Sequence, residues 1–456
     1  MIVSANPTTG ESLKSFAPHS HAQIEAALEA AAEAQRAWAL RPISDRVGLL
    51  TAVAKVLRAR KAEYARLITQ EMGKPIAEAE AEVEKCAWGC EFYAENAGRF
   101  LADEPVASGA TESFVAFQPL GVVLAVMPWN YPFWQLFRFV APALAAGNGA
   151  ILKHASNVPQ CALAIEDALA EAGCPAGLFR ALLVGPDAVG SLIADDRIAA
   201  VTLTGSTGAG SSVAAQAGSH LKKVVLELGG SDPFLVLADA DIALAASTAV
   251  RARFLNVGQS CISAKRFIVE EAVADEFVDR LCAGVEQLRV GDPLDRQTTI
   301  GPMALGRLRD ELHEQVERSL GAGAELRTGG HTLDGPGFFY APTVLDRVTP
   351  SMTAFVEETF GPVAAVIRAA DADEAIALAN ASEFGLGASV WSRDTRRASQ
   401  VARRIEAGLV FVNGMVASDP RLPFGGVKKS GYGRELGVYG IREFTNIKTI
   451  WIGPPR

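Results

Sequence analysis

Four short, unbroken apolar runs in the first half of the chain constrain the fold more than any other feature: Gly121 to Val126, Ala150 to Leu152, Ala181 to Val184 and Ala200 to Thr204. A strand with one face in water alternates polar and apolar side chains, whereas a strand apolar at every position needs cover on both faces. Helical segments near Gln160 to Ala172 and Asp187 to Ala194 lie between the runs and can supply that cover. The pattern predicts an open parallel sheet with helices on both faces and a ligand crevice at the carboxyl ends of its strands.

A second alternating block follows, with strands expected near Phe234 to Leu237, Phe267 to Val269, Val363 to Arg368, Gly387 to Val390 and Leu409 to Val412. Ahead of the first block, Ser20 to about Leu40 carries Ile24, Ala27, Leu28 and Ala31 at helical spacing behind a capping box of Ser20 and Gln23. Ser44 to Met72, closed by Gly73 and Pro75, and Ile76 to Phe100 read as two further helical segments. With 456 residues there is chain enough for two or three domains, and the fold class expected is α/β with two open parallel sheets.

A formal net charge of −9 repels polyanions, so nucleic acid and anionic membrane are not expected partners, and a small molecule is. The six cysteines show no CxxC pairing and the six histidines no ligand spacing, which argues against both a disulfide framework and a metal site. Sparse cysteines suit a reducing cytoplasm, and Met1 to Gly10 lacks the basic and apolar segments of an export signal. The apolar stretch Leu120 to Val140 is interrupted by Pro128, Asn130, Pro132, Gln135 and Arg138 before it could span a bilayer.

Four segments carry candidate chemistry. Asn256-Val257-Gly258-Gln259-Ser260-Cys261 is a small, polar loop suited to an accessible thiol, although a lone cysteine is more often a buried hydrophobe. Glu227 closes the apolar strand Val224-Val225-Leu226 and faces the crevice where a general base is wanted; a strand-end ion pair is its plainer role. Asn130, in Pro128-Trp129-Asn130-Tyr131-Pro132, offers an amide donor to a developing oxyanion, or a helix cap before Pro132. Thr204-Gly205-Ser206-Thr207-Gly208-Ala209-Gly210 follows a strand and opens a helix, where backbone amides can hold phosphate.

Together these segments resemble the aldehyde dehydrogenase superfamily. The resemblance runs from Asn6-Pro7-Thr8-Thr9-Gly10-Glu11 through PWNYP (128 to 132), TGSTGAG (204 to 210), LELGG (226 to 230), NVGQSC (256 to 261) and EETFGPV (357 to 363) to PFGGVKKSGYGRE (423 to 435). It implies a Rossmann-like NADP-binding domain over 1–108 and 121–228, a catalytic domain over 229–437, and a small β oligomerisation arm from 109–120 and 438–456. Edge pairing of that arm implies a homodimer or homotetramer.

By the same resemblance, Cys261 is the nucleophile, Asn130 and the Cys261 N–H hold the oxyanion, and Glu227 activates the water that hydrolyses a thioester. Trp129 is placed at the nicotinamide with Leu228, Lys153 at the adenosine ribose, Gly205 and Ser206 near the pyrophosphate, and Glu358 on the nicotinamide ribose with Phe360 nearby. Many members read Lys-Pro-Ser-Glu where this chain has Lys153-His154-Ala155-Ser156. Without that carboxylate, Ser156 and Lys153 can accept a 2′-phosphate, and His154 can add a donor, so NADP is expected over NAD.

Asn130, Trp134 and Arg138 recur every four residues and share a helical face that should look into the substrate tunnel. The stretch from Trp129 to Arg138, with Ser418 in a later loop, is similar to bacterial succinate-semialdehyde dehydrogenases, in which such an arginine binds the substrate carboxylate. Arg138, Trp134 and Ser418 are therefore the expected substrate residues, with a protein carboxylate as the alternative partner of Arg138. Some of those enzymes carry a second arginine where this chain has Leu255 and a second cysteine where it has Ser263. The alternatives are the same chemistry on another aliphatic or aromatic aldehyde with NAD accepted, and transfer of the acyl group to CoA, against which Glu227 argues.

Overall fold

The computed structural model describes residues 1–454. Its first large sheet has six strands, in the order Phe179–Ala181, Gly149–His154, Val122–Met127, Ile198–Thr204, Lys223–Glu227 and Gly431–Tyr432. All neighbours are parallel except the last pair, in which Gly431 and Tyr432 run antiparallel to Glu227 and Leu226. Those two residues fall by sequence in the expected catalytic segment 229–437, yet they close the edge of the first sheet beside Glu227. The second large sheet has seven strands and contains Asp232–Val236, Ala264–Glu270, Val363–Ala369, Gly387–Trp391 and Leu409–Val412, all parallel to their neighbours among these. The central strands of both sheets are buried on both faces, as the unbroken apolar runs require.

Crossover helices such as Trp134–Ala146, Pro159–Glu171 and Thr207–Ser219 cover the first sheet. The capping box on His21–Ala39 forms as expected, with Ser20 accepting from the Gln23 N–H and Gln23 accepting from the Ser20 N–H. Two expectations shift. The segment Ser44 to Met72 breaks at Arg60 into Ile43–Ala59 and Lys61–Met72, and the run Ala181 to Val184 pairs only over Phe179–Ala181 before Gly185 and Pro186 turn the chain. A third, antiparallel sheet joins Thr445–Ile452 to Glu112–Pro119, with Glu104–Pro105 on its far edge. No helix of the described residues is long and apolar enough to cross a membrane.

Candidate active site

The loop bearing Cys261 is held in a costly shape. Asn256, Val257 and Gly258 all take left-handed backbone conformations, with φ of 57°, 58° and 71°. For a β-branched valine this costs roughly 1–3 kcal/mol, so the surroundings must over-determine it. They do: the Asn256 N–H donates to Glu78 at 2.7 Å, and its side-chain amide donates to the carbonyls of Asn130 and Gln259, each at 2.9 Å. Glycine is required next, because a Cβ on Gly258 would run into the Gly361 carbonyl. Behind the loop, Lys265 spends its ammonium on the carbonyls of Ser260 and Cys261 and on Glu358, at 2.9–3.1 Å.

Cys261 is half-buried, and burial pushes its thiol up to about 12 against the pull of Arg138 and Lys265. The Asn130 amide lies beside this loop and donates to the Gln259 carbonyl at 3.0 Å, leaving its second N–H without a protein acceptor among the described residues. The Cys261 N–H likewise donates to none of them. Asn130 caps no helix. Glu82 does so, accepting from the Phe133 and Trp134 N–H groups at 2.9 and 3.0 Å while paired with buried Lys74. This buried carboxylate aims the helix Trp134–Ala146, and hence Trp134 and Arg138, at the site.

Cys261, Trp134, Arg138, Tyr131 and Ser418 line one cavity of about 330 Å³. Trp134 and Ser418 meet directly, the indole N–H donating to the hydroxyl at 3.0 Å. Arg138 lines the cavity but is already ion-paired with buried Glu435, and also donates to Thr204 at 3.2 Å. The protein carboxylate weighed as its alternative partner is thus present. Glu227 lies in the same buried cluster, over Gly425, with neither carboxylate oxygen hydrogen bonded. Burial and the nearby Glu435 drive its pKa well above the ordinary carboxylate range, against the pull of Arg138 and Arg434.

Trp129, Lys153, Ser206 and Leu228 lie at the carboxyl ends of first-sheet strands, whereas Glu358 and Phe360 come from the segment ahead of Val363–Ala369 in the second sheet. Lys153 is buried with no ion-pair partner among the described residues, while Ser156 is exposed three residues on. Ser206 caps Thr207–Ser219, Leu228 packs on Gly210 of that helix, and the Trp129 and Phe360 rings meet edge-on at 5.8 Å between centroids. Glu358 accepts from the Gly230 N–H at 3.1 Å. His154 departs from expectation. One ring nitrogen is bonded to the Pro132 carbonyl and the other accepts the Ala155 N–H, both at 2.9 Å, and burial lowers its pKa to about 4. A neutral ring with both nitrogens engaged has no donor to give a phosphate; it ties Pro132 to the end of the strand instead.

Residues 1–450 match the family model described as the aldehyde dehydrogenase family. The chain belongs to the aldehyde dehydrogenase family. It is 52% identical over 451 residues to a probable succinate-semialdehyde dehydrogenase [NADP(+)] of Synechocystis, with 99% of each chain covered. It is 51% identical over 454 residues, again covering 99% of each, to succinate-semialdehyde dehydrogenase [NADP(+)] 1 of Mycobacterium tuberculosis. The crystal structure of succinic semialdehyde dehydrogenase from Streptococcus pyogenes in complex with NADP+ superposes with a TM-score of 0.97 at 38% identity, covering 100% of both chains.

Within this aldehyde dehydrogenase the sequence reading missed several residues that shape the site. Glu82, Lys74 and Glu78 sit on or before the helix Ile76–Phe100, whose pattern shows only an amphipathic helix. Glu435 falls inside a recognised motif, but nothing local pairs it with a residue almost three hundred positions away. Lys85, on the same helix as Glu82, also lines the cavity and was not singled out.

Proposed function

We propose that this chain oxidises succinate semialdehyde, or a similar short carboxy-aldehyde, to the dicarboxylate with NADP. The observation that carries the reading is one cavity whose lining holds the candidate nucleophile Cys261 together with Lys85, which has no carboxylate partner among the described residues, whereas the other charges lining it include Arg138, paired with Glu435, and Glu82, paired with Lys74. A nucleophile beside positive charge suits an aldehyde that is itself an anion. The full-length likeness to enzymes named as NADP-dependent succinate-semialdehyde dehydrogenases supports the same substrate and cofactor.

The crevice fits NADP: buried Lys153 lacks an anion, and the neighbouring Ser156 leaves room and a hydroxyl for a 2′-phosphate where a carboxylate would repel it. Trp129, Leu228, Glu358 and Phe360 would hold the nicotinamide end, and Gly205 and Ser206 the pyrophosphate. When bound, NADP takes up the electron pair lost by the aldehyde carbon. Cys261 attacks that carbon as thiolate, giving a thiohemiacetal whose oxyanion is received by the second Asn130 amide N–H and the Cys261 N–H. After oxidation the acyl group stays on Cys261 as a thioester, and Glu227, as carboxylate, takes a proton from the water that hydrolyses it.

Ile447 and Trp451 lie exposed on the edge strand Thr445–Ile452, which supports pairing of copies through this arm as a homodimer or homotetramer. A cytoplasmic location suits the six unpaired cysteines. The test is product analysis: succinate semialdehyde and NADP should give succinate and NADPH in equal amounts, with or without CoA. Formation of an acyl-CoA would assign the chain to acyl transfer instead.

A further inference from the structure

Two cations line the cavity, and they differ in what they have left to give. Arg138 is committed to Glu435 and Thr204. Lys85 has no carboxylate within ion-pairing distance among the described residues, although most of its side chain is out of water. Its ammonium donates to Ser418 at 2.6 Å and lies 4.6 Å from the centroid of the Trp134 ring, which itself donates to Ser418. An ammonium has three N–H donors, and only one is spent on the protein. A secluded cation with spare donors, backed by an aromatic face and next to a hydroxyl fixed from two sides, is incomplete until an anion arrives.

Starting from the carboxy-aldehyde reading above, on which it rests, we propose that Lys85 and Ser418 receive the distal carboxylate of the substrate, and that Lys85 sets the preference for acidic over neutral aldehydes. Arg138 lines the same cavity with its charge shared with Glu435, so Lys85 supplies the unpaired positive charge. The charged and titratable groups around Lys85 are Glu82 and Cys86 on its own helix, Arg138 on the helix Trp134–Ala146, and Asp419 in the loop after Ser418, itself paired with Arg421; Glu78, raised by burial to about 7, Tyr131 and Cys261 line the same cavity. Burial, helped by Arg138, lowers Lys85 to about 8. The charge that binds a carboxylate is therefore present below that pH and lost above it.

The test compares kcat/KM for succinate semialdehyde with that for butanal, a neutral aldehyde of equal carbon count, in the full-length enzyme with saturating NADP. In Lys85→Met the ratio should fall roughly 10- to 100-fold, the size of one lost charge-assisted hydrogen bond, with the change in KM for the acid. Lys85→Arg should keep most of the ratio. In the wild type, KM for the acid should rise as pH passes about 8. That rise should vanish in Lys85→Arg, whose side chain stays charged, a signature that a merely structural lysine would not give. An unchanged ratio in Lys85→Met, or a KM for the acid that is flat across this pH range in the wild type, overturns the role of Lys85 while the substrate reading stands. A wild type that does not prefer the acid overturns both.

Discussion

Arg138 is ion-paired with Glu435 in the wall of the cavity that holds Cys261, and both side chains are almost wholly withdrawn from water. Breaking a buried pair from one side leaves a bare charge and costs about 3–5 kcal/mol. Arg138→Ala should therefore lose stability on that scale in denaturant unfolding, and Arg138→Leu combined with Glu435→Leu should recover much of the loss. Unaltered stability in Arg138→Ala would mean that the pair is not formed in solution.

Burial and the nearby Glu435 raise the pKa of Glu227 well above the ordinary carboxylate range, and it acts on water only as a carboxylate. Its basic form grows as pH rises, so the hydrolytic step should accelerate with increasing pH. Glu227→Gln should still release about one NADPH per active site in a rapid first turnover, then turn over roughly 10²- to 10⁴-fold more slowly. Rapid-quench detection of an acyl-enzyme checks this, and an unslowed steady state would remove Glu227 as the base.

Because burial lifts the Cys261 thiol to about 12, the free enzyme holds little thiolate at neutral pH. Alkylation of Cys261 by iodoacetamide, followed by peptide mass spectrometry, should be slow at neutral pH and quicken as pH rises. Cys261→Ala should bind NADP in fluorescence titration and show no turnover; residual oxidation at the wild-type rate would exclude it as nucleophile.

Ser156→Glu should restore the carboxylate that other family members carry beside Lys153. It should lower kcat/KM for NADP roughly tenfold or more relative to NAD, through repulsion of the 2′-phosphate. An unchanged cofactor ratio would show that Ser156 does not face that phosphate.

The parallel sheets were legible because apolar strands buried on both faces leave unbroken runs, and the Ser20–Gln23 cap because its chemistry is local. Asn130, Cys261 and Glu227 were legible as motifs at strand exits and in a polar loop. Partnership across long chain separations was not. Arg138 could be placed on a cavity-facing helical surface, but Glu435 reaches it only after Gly431–Tyr432 has joined the first sheet as an added edge strand. His154 looked like a spare donor because sequence does not reveal that the Pro132 carbonyl lies 2.9 Å from its ring. Lys85 was hidden in a helix in which charged residues are frequent and most face solvent.

The most direct test of the account is the initial rate of cofactor reduction by the wild-type enzyme with succinate semialdehyde and butanal, each paired with NADP and with NAD. The account predicts the highest kcat/KM for succinate semialdehyde with NADP, and a fall when either member of that pair is exchanged. Equal use of the two aldehydes would contradict the acidic substrate, and a higher kcat/KM with NAD would contradict the reading of Lys153 and Ser156.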